Sequence, residues 1–161
     1  MEHRDRLERT TGMGAGATLL APERLLQHKA LVRRYVEEVW NRQKLSKARE
    51  MLAPTYVYHC GATQCDYPGY GGLEEVLART QAAFPDRRAE IVEMVAEQDL
   101  VSLRFKLSAT FQGAFLGIRP TGQRLVFSAL GGYRVVDGKI ADEWGQDNLA
   151  YLLLRGDSPT A

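Results

Sequence analysis

Acid–base or binding chemistry in this sequence has to come from a small set of side chains, most of them lying in or beside strand-like segments. His59 ends the run Tyr56-Val57-Tyr58 and is the one histidine placed in such a segment, with an imidazole able to exchange protons near neutral pH. Asp147 brings a titratable carboxylate to the end of the last strand-like segment, and it is equally a good N-cap for the apolar run that follows. Arg104 and Ser128 lie on long alternating stretches; facing inward they are oxyanion donors, facing outward Arg104 belongs to a solvent or dimer face. Gln146 donates and accepts hydrogen bonds but cannot serve as a base. Tyr35, Trp40, Tyr58, Phe105, Phe115 and Trp144 are either aromatic walls of a pocket or plain core.

Other chemistries find no support. Cys60 and Cys65 are the only cysteines and the three histidines are scattered, so no zinc-type ligand spacing exists, and the pair reads as two reduced thiols flanking a loop. No phosphate-cradling loop, nucleophile elbow or dinucleotide fingerprint occurs; Gly12, Gly14 and Gly16 precede no strand-turn-helix unit. The balance of 21 basic to 20 acidic residues, without a basic block interleaved with aromatics, argues against nucleic acid. Nothing approaches the run of about 18 apolar residues that spans a membrane, and 12–21 is too weakly hydrophobic for a signal peptide, so a cytoplasmic protein without metal or cofactor is expected.

The elements that must position these side chains follow from periodicity. Leu25, Leu26, Val32, Tyr35, Val36, Val39 and Trp40 recur at helical spacing, which with Pro22 at the start predicts a helix over 22–43. A short helix through Leu45, Ala48, Met51 and Leu52 stops at Pro54, a strand covers 56–60, and 61–72 is a loop. A third helix over 72–84 ends before Pro85. Strands then start at Ile91, at Val101, at Arg124 and, after the Asp137-Gly138 hairpin turn, at Lys139, and a terminal helix covers 148–154. Helices first and strands afterwards indicate α+β: a cone-shaped, curved antiparallel sheet with three N-terminal helices enclosing an apolar pocket for a small organic molecule.

The chain also resembles the SnoaL-like polyketide cyclases of the nuclear transport factor two-like superfamily. The resemblance rests on Val36-Glu37-Glu38-Val39-Trp40-Asn41, Tyr56-Val57-Tyr58-His59, the segment from Gly113 through Phe115-Leu116-Gly117-Ile118 to Pro120-Thr121-Gly122, Tyr133-Arg134, Asp137-Gly138-Lys139-Ile140 and Glu143-Trp144. It implies cofactor-free acid–base chemistry, such as aldol-type ring closure of a hydrophobic, polyketide-like intermediate, with epoxide hydrolysis, isomerisation or non-catalytic binding as alternatives. Asp147 then stands where the family has its acid/base aspartate, and His59 stands near the pocket mouth as its partner. The chain is one residue shorter here than the family pattern, so either Asp147 or Gln146 faces the pocket. The expected organisation is a tail over 1–21, the cone over 22–156 and a tail over 157–161, paired as a homodimer through the outer sheet face.

Overall fold

Alternation of apolar and polar residues is the force that organises this chain, and its clearest expression is the strand Leu100–Thr110 (β4), where Val101, Leu103, Phe105, Leu107 and Ala109 are buried. The computed structural model describes residues 20–155. The tails expected at 1–21 and 157–161 lie outside these residues, save Leu20 and Ala21. Flanking β4 are Arg88–Glu97 (β3) and Arg124–Val136 (β5), and the remaining strands are Leu52–Cys60 (β1), Cys65–Pro68 (β2) and Lys139–Asp147 (β6). They form one six-stranded sheet in the order β2-β1-β6-β5-β4-β3, curled but not closed, so the fold is the expected α+β cone.

Among the described residues four α-helices complete it: Pro22–Tyr35 (α1), Leu45–Met51 (α2), Gly69–Ala83 (α3) and Leu149–Arg155 (α4). α1 packs on β3 and β4, α3 on β1 and β2. Burying side chains such as Val32 and Leu73 against the inner sheet face stabilises the fold by roughly 1.5–3 kcal/mol each.

The structure departs from the sequence reading in four places. The first helix changes pitch at Val36: residues Val36–Asn41 form a π-helical turn that ends before Gln43, whose φ is +56°. Asn41 ties that turn to β3, its side-chain amide donating to the carbonyl of Ala89 and accepting from the Ala89 N–H at 2.9 and 2.8 Å. β1 begins at Leu52 rather than Tyr56, with Pro54 inside the stretch where its register against β6 shifts, a position that tolerates a missing N–H. The expected loop over 61–72 contains β2 and the first turn of α3. Finally, the sheet is not wholly antiparallel, because β1 pairs with β6 in parallel. The Asp137-Gly138 turn forms as expected, with positive φ at both residues.

Candidate active site

Strand parity decides which candidates meet. On the inner face, one row runs across the sheet through Val101, Tyr133, Glu143 and Tyr58, a second through Leu103, Gly131, Gly145 and Cys60, and a third through Phe105, Ala129 and Asp147. The paired glycines of the second row let neighbouring side chains lie close against the sheet. A Cβ on Gly145 would lie 2.8 Å from the Tyr58 hydroxyl, and one on Gly131 would lie 2.7 Å from the Phe105 ring. Beside them lies a cavity of roughly 110 Å³, with Trp40, Tyr58, Phe84, Phe105, Phe115 and Phe127 among its walls. Phe115 is set there by a tight turn in which Leu116 and Gly117 have positive φ and residues Phe115 and Ile118 exchange hydrogen bonds; its ring meets Phe84 edge-on at 5.2 Å.

At the base of the cavity Glu143 is 3% exposed and accepts four hydrogen bonds. Tyr35 and Tyr56 each donate to Oε2 at 2.6 Å; the Trp40 indole N–H and the Tyr133 hydroxyl donate to Oε1 at 2.9 and 3.3 Å. Burial raises the Glu143 pKa above the ordinary carboxylate range despite the opposing pull of these donors. Burial, reinforced by the Glu143 charge, also pushes the hydroxyls of Tyr35, Tyr56 and Tyr133 well above the usual tyrosine range. With the lone pairs of both oxygens occupied, Glu143 anchors the aromatic donors and has no acceptor left for a substrate proton. The π-helical turn matters here because it aims the Trp40 indole at this carboxylate.

Asp147 lies at the cavity rim, largely exposed, and its Oδ1 accepts from the Leu149 N–H at 3.0 Å. It therefore caps α4 with one oxygen while belonging to the inner-face row, so the base and cap readings coexist in one side chain. Gln146 takes the opposite parity in the ladder, and both Gln146 and Asp147 border the cavity.

Arg87, which nothing in the sequence singled out, also lines the cavity. It leaves a turn closed by its N–H on the Phe84 carbonyl, and the neighbouring Asp86 carboxylate fixes that turn by accepting from the Thr110 N–H and hydroxyl, both at 2.7 Å, and from Arg124. Its guanidinium carbon sits 4.7 Å from the centre of the Trp40 ring. Burial lowers its pKa, while Tyr58, Tyr133, Asp147 and Glu143 pull the other way through space; it remains a cation at neutral pH.

Several expected site residues stand elsewhere. Tyr58 points inward, so His59 points outward: its ring stacks on Trp144 at 5.2 Å, with Nδ1 2.8 Å from Asp66 and Nε2 3.1 Å from Asp142. The structure does not bring His59 to Asp147. Trp144, Arg104 and Ser128 share this outer parity, though Trp144 still borders the cavity, and Arg104 pairs with Glu93 at 3.0 Å. Trp40, Tyr58, Phe105 and Phe115 line the cavity as expected, and Tyr35 lies behind it as a donor to Glu143. Glu143 was legible only as an acidic residue at inward parity among apolar neighbours; Arg87, in a turn, had no periodic signal. Among the described residues no cluster of histidine, cysteine or acidic groups forms a metal site, and no helix is long and apolar enough to cross a membrane. Both cysteine thiols are free.

A curled α+β sheet around an apolar cavity, with a carboxylate and a guanidinium at its wall, has the geometry typical of small-molecule sites. The chain belongs to the SnoaL-like polyketide cyclase family, which it matches over residues 30–154. Among solved structures it resembles AclR, a candidate hydroxylase from Streptomyces galilaeus, at 33% identity over 81% of this chain and 96% of that one, with a TM-score of 0.68. It resembles IdmH, a candidate polyketide cyclase from Streptomyces antibioticus, at 30% identity over 80% and 97%, with a TM-score of 0.68. A SnoaL-like protein from Jannaschia sp. CCS1 shares the fold at 20% identity over 88% and 98%, with a TM-score of 0.77. No curated protein sequence matches.

Proposed function

We propose that the protein closes a ring in a hydrophobic, polyketide-like intermediate by cofactor-independent acid–base catalysis, with Asp147 as the proton-transfer group. The observation that carries this is a carboxylate on the inner face at the rim of an aromatic-walled cavity. In the reaction, the Asp147 carboxylate takes a proton from carbon beside a carbonyl, and the C–H electron pair becomes an enolate. The enolate carbon attacks a second carbonyl of the same molecule, forming the C–C bond and an alkoxide, which recovers the proton from Asp147. No co-reactant is consumed. Trp40, Tyr58, Phe105 and Phe115 hold the substrate's planar body, and one Asp147 oxygen stays on the cap of α4 while the other works. A second copy pairs across the outer sheet face, where Val95, Val126, Leu130 and Trp144 are exposed; sedimentation showing only an 18.0 kDa species would end that part.

Turnover of an aromatic β-keto intermediate, followed by chromatography of the cyclised product, tests the reading. A positioned acid/base group contributes about 10²–10⁴-fold, so Asp147→Asn loses about that factor. Asp147→Ser keeps a capping oxygen but no base and loses as much; full turnover by Asp147→Ser overturns the assignment. Similarity to AclR supports a second reading, hydroxylation of the same substrate class, in which one atom of dioxygen enters the product and a two-electron organic reductant bound with the substrate carries the other to water. Incorporation of labelled oxygen gas into the product would favour it.

A further inference from the structure

The ring-closure step places negative charge on an oxygen, and something in the cavity must receive it. Most polar groups there are engaged. The Tyr133 hydroxyl is held by Glu143, and Arg79 donates one amine to the Tyr67 hydroxyl at 3.0 Å while its Nε is buried and unpaired. Arg104 and Ser128, the donors suggested by the strands, lie on the other face of the sheet. Arg87 is different. Among the described residues no hydrogen bond or ion pair engages its guanidinium, which rests on the Trp40 ring inside the same cavity as Asp147, and its turn is pinned from the side by Asp86.

We propose that Arg87 is the oxyanion donor of this cavity, binding the enolate oxygen that forms as Asp147 takes a proton, and that the substrate is therefore an enolisable carbonyl compound whose reacting oxygen sits over the Trp40–Arg87 stack. The inference rests on the acid–base reading above and adds the group that stabilises its charge. The electrostatics suit the role. In the resting site Asp147 and Glu143 act on the cation through space without pairing with it; when Asp147 becomes neutral by taking the proton, one of those charges vanishes as the enolate appears, so the unpaired guanidinium turns its donors to the substrate oxygen. Lysine at this position would keep the charge and lose the planar fork of donors.

The test uses para-nitrophenol, whose phenolate places an anionic oxygen on a planar conjugated body, read by the absorbance of its bound ionised form. The host is Asp147→Asn, which imitates the neutral acid present after proton transfer. With Arg87 intact, the protein should prefer phenolate over phenol by roughly tenfold or more, the effect of one opposite charge at about 4–6 Å. Adding Arg87→Gln should abolish the preference, Arg87→Lys should retain part of it, and Arg104→Gln, on the outer face, should leave it unchanged. Preference for the neutral phenol, absence of binding, or a preference that survives Arg87→Gln would each overturn the proposal. If Arg87→Gln fails to fold by circular dichroism, the host and the Arg87→Lys arm decide. Turnover by Asp147→Asn and Asp147→Ser judges the acid–base reading separately, so failure of either idea is distinguishable from failure of the other.

Discussion

Replacing Glu143 tests whether a buried carboxylate organises this cavity. Glu143→Gln and Glu143→Leu both remove the buried charge, so the cost of taking that charge out of water cancels when the two variants are compared with each other. What differs is the fate of four donors. Glutamine keeps a carbonyl for the Trp40 N–H and Tyr133 hydroxyl, while its amide faces Tyr35 and Tyr56, whose hydroxyls can turn to accept. Leucine offers nothing. The Tyr35 and Tyr56 hydroxyls, 3.2 Å apart, can still satisfy each other, but the Trp40 N–H and Tyr133 hydroxyl are orphaned. At about 1–3 kcal/mol per buried unsatisfied group, Glu143→Leu should be less stable than Glu143→Gln by roughly 2–6 kcal/mol. Urea denaturation followed by circular dichroism measures the difference, and a leucine variant as stable as the glutamine variant would refute the reasoning. A pH series adds a sign. The folded Glu143 carboxyl keeps its proton to higher pH than the unfolded chain, so unfolding releases a proton and rising pH favours unfolding. The wild-type margin over Glu143→Gln should therefore be greatest below the ordinary carboxylate range and shrink as pH rises; a margin that grows would contradict it.

Other outcomes follow from the same geometry. Gly145→Ala places a methyl 2.8 Å from the Tyr58 hydroxyl and should cost about 1–3 kcal/mol while raising KM by displacing that ring, as melting curves and steady-state kinetics would show; an unchanged KM would mean Tyr58 does not shape the substrate's site. The raised pKa values of Tyr35, Tyr56 and Tyr133 give stability that is present below about pH 10 and lost as pH rises through the folded values, so thermal melts should fall steeply in alkali, and less steeply for Tyr35→Phe. Because His59 stacks on Trp144 outside the cavity, His59→Gln should leave kcat unchanged; a large loss would restore it as a partner of the site.

The sequence by itself determined the fold class and much of the cavity wall, because burial imposes a period of two on strands and about 3.6 on helices, and both periods are written in residue order. The alternation from Val101 to Ala109 gave β4 its inner face, and Phe105 came with it. The same alternation, followed through Tyr58, already placed His59 outside; a histidine's chemistry drew attention that its parity did not support. Tertiary structure alone decided the parallel junction of β1 with β6, which brings Tyr58 beside Glu143 from a strand some eighty residues away in sequence. It alone assembled Tyr35, Trp40, Tyr56 and Tyr133 around one carboxylate. Arg87 is the extreme case: a turn residue has no period to read, and its place in the cavity depends on Asp86 reaching across to Thr110, a contact fixed by how the strands pair rather than by any local preference of the chain.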